Sequence, residues 1–178
     1  MDAKSTQITR VGEVVRTSST GSVLGSDAYL KDASERGVPY VRVGDLKELE
    51  VTETGKWVGA HISDATYAEK GAELFAEQPV PGRVSVAGRK VAIHSDIRAL
   101  ECRSEVEPLF LACSLMARQH EIQEFAKGRT IPRISKQELW SLKVRVPPAG
   151  DQKRAMATAK RYDTLKRSRQ RSISLTRT

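Results

Sequence analysis

The sequence predicts an α+β fold: a mixed, mostly antiparallel β domain with packed helices, followed by a C-terminal helix. Three features point there. Short period-two apolar runs recur between residues 38 and 102, two capping-box signatures follow residue 104, and a proline pair at 147–148 precedes a polar, helix-favouring tail. A length of 178 residues fits one ordinary domain with an appended element, and 39% hydrophobic content suffices for a core. We expect the division at residue 146, with a domain over 1–146 and a basic helix over 147–178.

Val11 to Arg16 reads as a short helix or strand, and residues 17–26 (TSSTGSVLGS) as a polar loop. Val38 to Val43 is a β-type run, with Val41 and Val43 on one face and Tyr40 and Arg42 on the other, ended by Gly44 and Asp45. Ala68 to Glu77 fits a helix or an irregular connection. Arg83–Val86 and Lys90–His94 alternate around Ala87-Gly88-Arg89 and predict a hairpin, and Ile97–Cys102 gives another strand. Ser104 with Glu107 forms a capping-box pattern, Pro108 suits a first turn, and Gly128 stands past the end of a long helix. Leu109, Ala112, Leu115, Met116, Ile122 and Phe125 supply its apolar face. Ser135 with Glu138 starts a short helix carrying Leu139 and Leu142, and Lys143–Val146 alternates as a strand. Pro147 and Pro148 stop it. From Asp151, a suitable cap, to about Arg171 the composition favours helix, but its apolar stripe of Ala155, Ala159, Tyr162 and Leu165 is thin. Such a helix needs a partner surface or frays at its end.

Charge is concentrated rather than spread. Residues 151–178 carry nine Lys or Arg and two Asp, +7 of the net +8, whereas the first 150 residues hold 21 basic and 20 acidic side chains. The tail suits non-specific phosphate binding, which salt weakens steeply. No run of 18 apolar residues predicts a membrane span, and MDAKSTQITR has no apolar core of a secretory signal. Cys102 and Cys113 each sit in an apolar run and read as small hydrophobes in a reducing cytoplasm.

Nothing in the sequence points to catalysis or to a cofactor. His61, His94 and His120 are far apart and lack metal-ligand spacing. Gly21 and Gly25 lack the Gly-Lys-Ser/Thr of a phosphate loop. An adenine methyltransferase would place Asp or Asn before a Pro-Pro-aromatic grip, but Pro147-Pro148 lies between Val146 and Ala149. Asp45, Glu48 and Glu50 read as a turn with solvated charges rather than a nuclease Mg²⁺ site.

The stretch Gly128 to Gln152 (GRTIPRISKQELWSLKVRVPPAGDQ) resembles the end of a target recognition domain of type I restriction-modification specificity subunits. There a G-S-T-I-P-x-I-S-K-x-x-L segment leads into P-L-P-P-L-x-x-Q and a long spacer helix. Earlier segments are similar in the same order. Val11-Gly12-Glu13-Val14 matches an opening L-G-E-V, and Val38 to Leu46 (VPYVRVGDL) matches I-P-W-I-R-x-G-D-L. Gly82-Arg83-Val84 matches a hairpin start, and Pro108 to Leu111 a P-L-F-L helix opening. The chain departs from the pattern in having one recognition domain and one helix where a full subunit has two of each. Ala149 and Gly150 also replace the usual Leu and Glu.

The resemblance implies a non-catalytic subunit that directs a DNA adenine methyltransferase (modification) subunit to double-stranded DNA in a phage-defence complex. It implies pairing, through Ala155, Ala159, Tyr162 and Leu165, with a second copy or a second recognition domain, so that a two-fold dimer reads inverted half-sites. Base readers or phosphate anchors are expected among Arg42, Lys56, Arg83, Arg89, Lys90, Lys127, Arg129, Arg133 and Lys136. Trp57 and Trp140 read as packing residues. The competing reading is a free-standing DNA-binding protein or regulator that takes its affinity from the basic tail; a third is an interaction module without DNA recognition.

Overall fold

The computed structural model describes residues 5–30, 37–127 and 130–175. Its elements are β1 (Gln7–Arg10), α1 (Val11–Val14), β2 (Val15–Thr20), β3 (Tyr29–Leu30), β4 (Gly37–Val41), β5 (Glu50–Val51), β6 (Trp57–Gly59) and β7 (Tyr67–Ala68). They continue with β8 (Glu73–Ala76), β9 (Val84–Ala87), β10 (Val91–Ile93), β11 (Ile97–Cys102), α2 (Pro108–Met116), α3 (Gln119–Phe125), α4 (Lys136–Ser141), β12 (Lys143–Val146) and α5 (Ala149–Leu175). Among the described residues no helix is long and apolar enough to cross a membrane.

Two five-stranded sheets, β3-β6-β4-β10-β7 and β2-β11-β8-β9-β5, pack face to face, and β1 and β12 form a separate two-stranded ribbon. Because side chains alternate across a strand, each sheet feeds two cores. Val41, Ala68, Val91 and Ile93 of the first sheet meet Leu74, Ala76, Ala87, Ile97 and Ala99 of the second. The second sheet turns Phe75, Val84, Val86 and Leu100 toward Leu111, Ala112 and Leu115 of α2, Ile122 of α3 and Leu139 of α4. The outer face of the first sheet, with Val38, Tyr40, Val58 and Ala92, is covered by Leu24, Ala28, Ile62 and Ala65 from loops. Among the described residues only β4–β10 and β5–β9 pair in parallel. The other pairings are antiparallel, so the mixed α+β class stands.

Several local expectations are corrected. The runs 83–86 and 90–94 are not a hairpin. β9 is paired on both edges, with β8 and β5, while β10 joins β4 and β7 in the other sheet. Alternation marks a strand without choosing its neighbour, and here Gly88 donates to Val51 O at 2.8 Å as the chain crosses between sheets. Residues 68–77 are not helical: β8 lies in mid-sheet with all four residues buried, so Leu74, Phe75 and Ala76 form an apolar run without alternation. Thr17–Thr20 belong to β2 rather than to a loop. β4 stops at Val41 and is buried on both faces, while Val43 enters a 3₁₀ turn.

The single long helix after Pro108 is two helices. Arg118 leaves helical geometry (φ −106°, ψ 12°), and α3 turns to set Ile122 against Gly82, whose φ of +82° suits glycine. Met116 and Phe125 are consequently 40% exposed. The Ser104–Glu107 box does not form. Pro108 is at the first helical position, which makes the extended Glu107 the cap residue. The Ser135–Glu138 box does form: Glu138 N–H donates to Ser135 Oγ (3.2 Å) and Ser135 N–H to Glu138 Oε2 (2.7 Å). Gly21 allows β2 to hand over to the loops, since a Cβ there would collide with the backbone carbonyls of Ile93 and His94.

Helix α5 begins at Ala149, so Asp151 sits in its first turn, paired with Arg154, instead of capping it. Its root is fixed by Gln152, 1% exposed. Gln152 Oε1 accepts from Glu107 N–H (3.0 Å), and Nε2 donates to Glu105 O and Pro147 O (2.9 Å each). Three backbone groups from two segments thus converge on one amide. Gln152→Ala strands them, and we expect it to lower unfolding free energy by roughly 2–3 kcal/mol in urea titrations. An unchanged midpoint contradicts this.

Candidate nucleic-acid interface

The predicted cations fall into two structural groups. The first rides on the sheet β3-β6-β4-β10-β7. Lys56 Nζ lies 4.5 Å over the Tyr29 ring, the Arg89 guanidinium 5.3 Å over Trp57, and Lys90 Nζ 4.9 Å over Tyr67. An aromatic face attracts a cation and supports its aliphatic stem, so each charge is held near one place while its head stays hydrated. The platforms are themselves anchored. Tyr67 Oη donates to Gly59 O (2.8 Å) and accepts from Ile62 N–H (2.7 Å). Tyr29 packs edge-on to Tyr40 at 5.6 Å, and Tyr40 Oη donates to Ser22 O (2.8 Å). Burial pushes the Tyr40 hydroxyl pKa up to about 12, so it remains a donor at neutral pH. Lys90 also lies 3.7 Å from Glu69.

The second group lies along α3 and the loop into α4. Lys127 pairs with Glu124 at 2.6 Å and, with that hydrogen bond, holds the Glu124 carboxyl below its ordinary range. Arg133 Nη2 is 3.9 Å from Glu77 Oε2, and Lys136 stands 5.3 Å over Trp140. Arg129, like Gly128, lies outside the described residues. Arg42 and Arg83 join neither group. Arg42 is exposed just after β4, its N–H donating to Asp45 Oδ2 (2.9 Å), and Arg83 is half-buried in the β8–β9 turn. Asp45 therefore serves its own turn, as its spacing suggested. Among the described residues no group of three His, Cys, Asp or Glu side chains could hold a metal ion.

Sequence reading missed the centre of the second group. Glu77, 2% exposed, accepts from Arg98 Nε at 2.5 Å, and Arg98 Nη1 reaches Ser18 Oγ at 3.5 Å. Glu77 O also accepts from Ile134 N–H at 3.0 Å, so one residue ties the Thr130–Ile134 loop to the sheet and holds two arginines. The only signal was Arg98 near the start of the β11 strand, between the apolar Ile97 and Ala99.

On α5 the stripe proposed for pairing is mostly turned away from the domain. The face turned to the domain carries Gln152, Met156, Ala159 and Asp163, whereas Ala155 is exposed and Tyr162 and Leu165 are 71% and 69% exposed. Tyr162 borders a groove of about 220 Å³ with Leu49, Cys113, Met116 and Ala159. Trp140 packs against the helical core and the backbone of Gly12, and Trp57 is half-buried under Arg89. Cys102 and Cys113 are unbridged and only partly buried, and desolvation raises both thiol pKa values.

No curated protein matches the chain. Among solved structures, a chain from the structural work on complex assembly and conformational transition of the type I R-M system is similar with a TM-score of 0.73 and 22% identity, over 99% of this chain and 43% of that one. The HsdS subunit from Thermoanaerobacter tengcongensis gives 0.70 and 20%, over 97% and 40%. The S subunit of a type I restriction-modification system from M. genitalium gives 0.71 and 19%, over 98% and 44%. This chain thus spans less than half the length of each. The family model for the type I restriction modification DNA specificity domain matches residues 4–176, and the chain belongs to that family.

Proposed function

We propose that this chain is the DNA sequence-recognition part of a type I restriction-modification complex and performs no chemistry itself. The observation that carries this reading is the family match over residues 4–176. The arrangement of cations is consistent with it: recognition needs charges at fixed positions above a rigid scaffold, and aromatic-backed Lys56, Arg89 and Lys90 meet that need. In this reading residues 1–146 contact the duplex, with Arg42, Arg83, Lys127, Arg129, Arg133 and Lys136 as further anchors or readers. Residues 147–178 are the spacer, joining an adenine-specific modification subunit and either a second copy or a second recognition domain. The complex works in the cytoplasm.

The test is a genome-wide map of methylated adenine with and without the gene while a modification subunit is expressed. One motif is expected to lose its methylation. A palindromic motif indicates a homodimer and an asymmetric two-part motif a mixed pair. An unchanged map overturns the proposal.

A further inference from the structure

The β1–β12 ribbon carries a charge cluster that none of the features above uses. Its register places Arg10 opposite Lys143 and Ile8 opposite Arg145, so these four side chains share one face, while Thr9 and Val144 share the other. The inner face is anchored in the helical core, with Val144 3% exposed. The outer face is open: Ile8 is 66% exposed, and Arg10, Lys143 and Arg145 are all exposed.

Three cations therefore stand together on a firmly seated, two-stranded surface. Among the described residues none of them has an acidic side chain within ion-pair distance. Glu13 accepts hydrogen bonds from Thr9 Oγ1 and the Arg10 N–H, which together with the Arg10 charge hold its carboxyl below the ordinary range. Like charges directly opposite on an antiparallel pair destabilise it, so Arg10 facing Lys143 is a cost in the free protein. An anion between them removes that cost. Ile8, Lys143 and Arg145 also border a groove of about 520 Å³ together with Phe110, Ser114 and Arg118, and no acid is among its lining residues, although Arg118 pairs with Glu121 at 3.1 Å. Meanwhile residues 1–150 are close to neutral as a whole, so this concentration is not a general surplus.

We propose that Arg10, Lys143 and Arg145 form an anchor for the sugar-phosphate backbone of duplex DNA. The proposal rests on the DNA-recognition reading and adds to it a site separate from the sheet-borne and loop-borne cations. A ribbon of this width carries two rows of side chains at roughly 7 Å repeats, which suits successive phosphates along a strand. Such contacts fix register and are blind to sequence.

The experiment measures binding of the full chain, alone and with its modification subunit, to a 30-base-pair duplex containing the methylated motif and to a scrambled duplex. Salt is varied from 50 to 200 mM, and the triple variant Arg10→Gln/Lys143→Gln/Arg145→Gln is compared with wild type. Losing three phosphate contacts is expected to reduce the slope of log K against log salt by about 2.7, equally on both duplexes. Over this range wild type then loses about 40-fold more affinity than the variant. The preference for the motif stays unchanged. Should the triple variant fold poorly, Arg145→Gln alone is expected to reduce the slope by about 0.9 and Lys143→Arg to leave it intact. An unchanged slope overturns the proposal. So does an unchanged slope with loss of the modification subunit, which assigns the ribbon to an acidic protein surface. If wild type shows no motif preference even in complex, the recognition reading fails, and the slope still decides whether the ribbon binds phosphate.

Discussion

Replacing Glu77 with alanine is expected to lower stability by roughly 3–5 kcal/mol, read as a shifted urea midpoint. The carboxylate is 2% exposed and Arg98 beside it only 12%, so the variant leaves a guanidinium buried without its counter-charge. Keeping an unpaired charge out of water costs more than the loss of the hydrogen bond itself. The double variant Glu77→Ala/Arg98→Met removes both charges and is expected to recover much of the loss. If the double variant is as unstable as the sum of the singles, the two side chains are not coupled and the buried charge is not the cause. A second consequence reaches the surface, because Arg133 loses its ion pair with Glu77.

Glu73 predicts the opposite sign. It is the first residue of β8, fully buried beneath α2, and neither carboxylate oxygen has a hydrogen-bond partner. Desolvation therefore pushes its pKa well above the ordinary 4.5. With the folded value raised, the native state holds its proton where the unfolded chain releases it. Stability is then full below the ordinary carboxyl range and falls as pH rises through that range toward the folded value, by up to about 1.4 kcal/mol per pH unit. Glu73→Met keeps length and flexibility without the charge. We expect it to raise stability by roughly 2–4 kcal/mol at pH 8, to do little at pH 4, and to flatten the slope between. A variant with the wild-type pH profile refutes this.

The two buried glutamates also show where sequence reading ran out. Both look like surface charges at the ends of an apolar run, and only the sheet order reveals that β8 has strands on each side and α2 above it. Local signals were legible wherever backbone chemistry is local: the Ser135–Glu138 box, Pro108 at a helix start, and the β11 alternation all stand. The errors are of two kinds. Pairing depends on distant residues, so β9 and β10 looked like a hairpin though they lie in different sheets. Burial on both faces erases periodicity, so β8 looked ambiguous. At the candidate interface, residue type identified the cations, but their aromatic supports Tyr29, Trp57 and Tyr67 come from three separate strands and only the fold brings them to one sheet.

The buried amide at the root of α5 has a consequence beyond stability. A 27-residue helix is about 40 Å long, so a change of 10° at its base moves its tip by about 7 Å. Along B-DNA that distance is about two base pairs, since each rises about 3.4 Å. In the proposed spacer role, the angle at Gln152 would act as a lever on the distance between two recognised half-sites. A defect there would appear as altered site spacing, with the bases recognised in each half left the same.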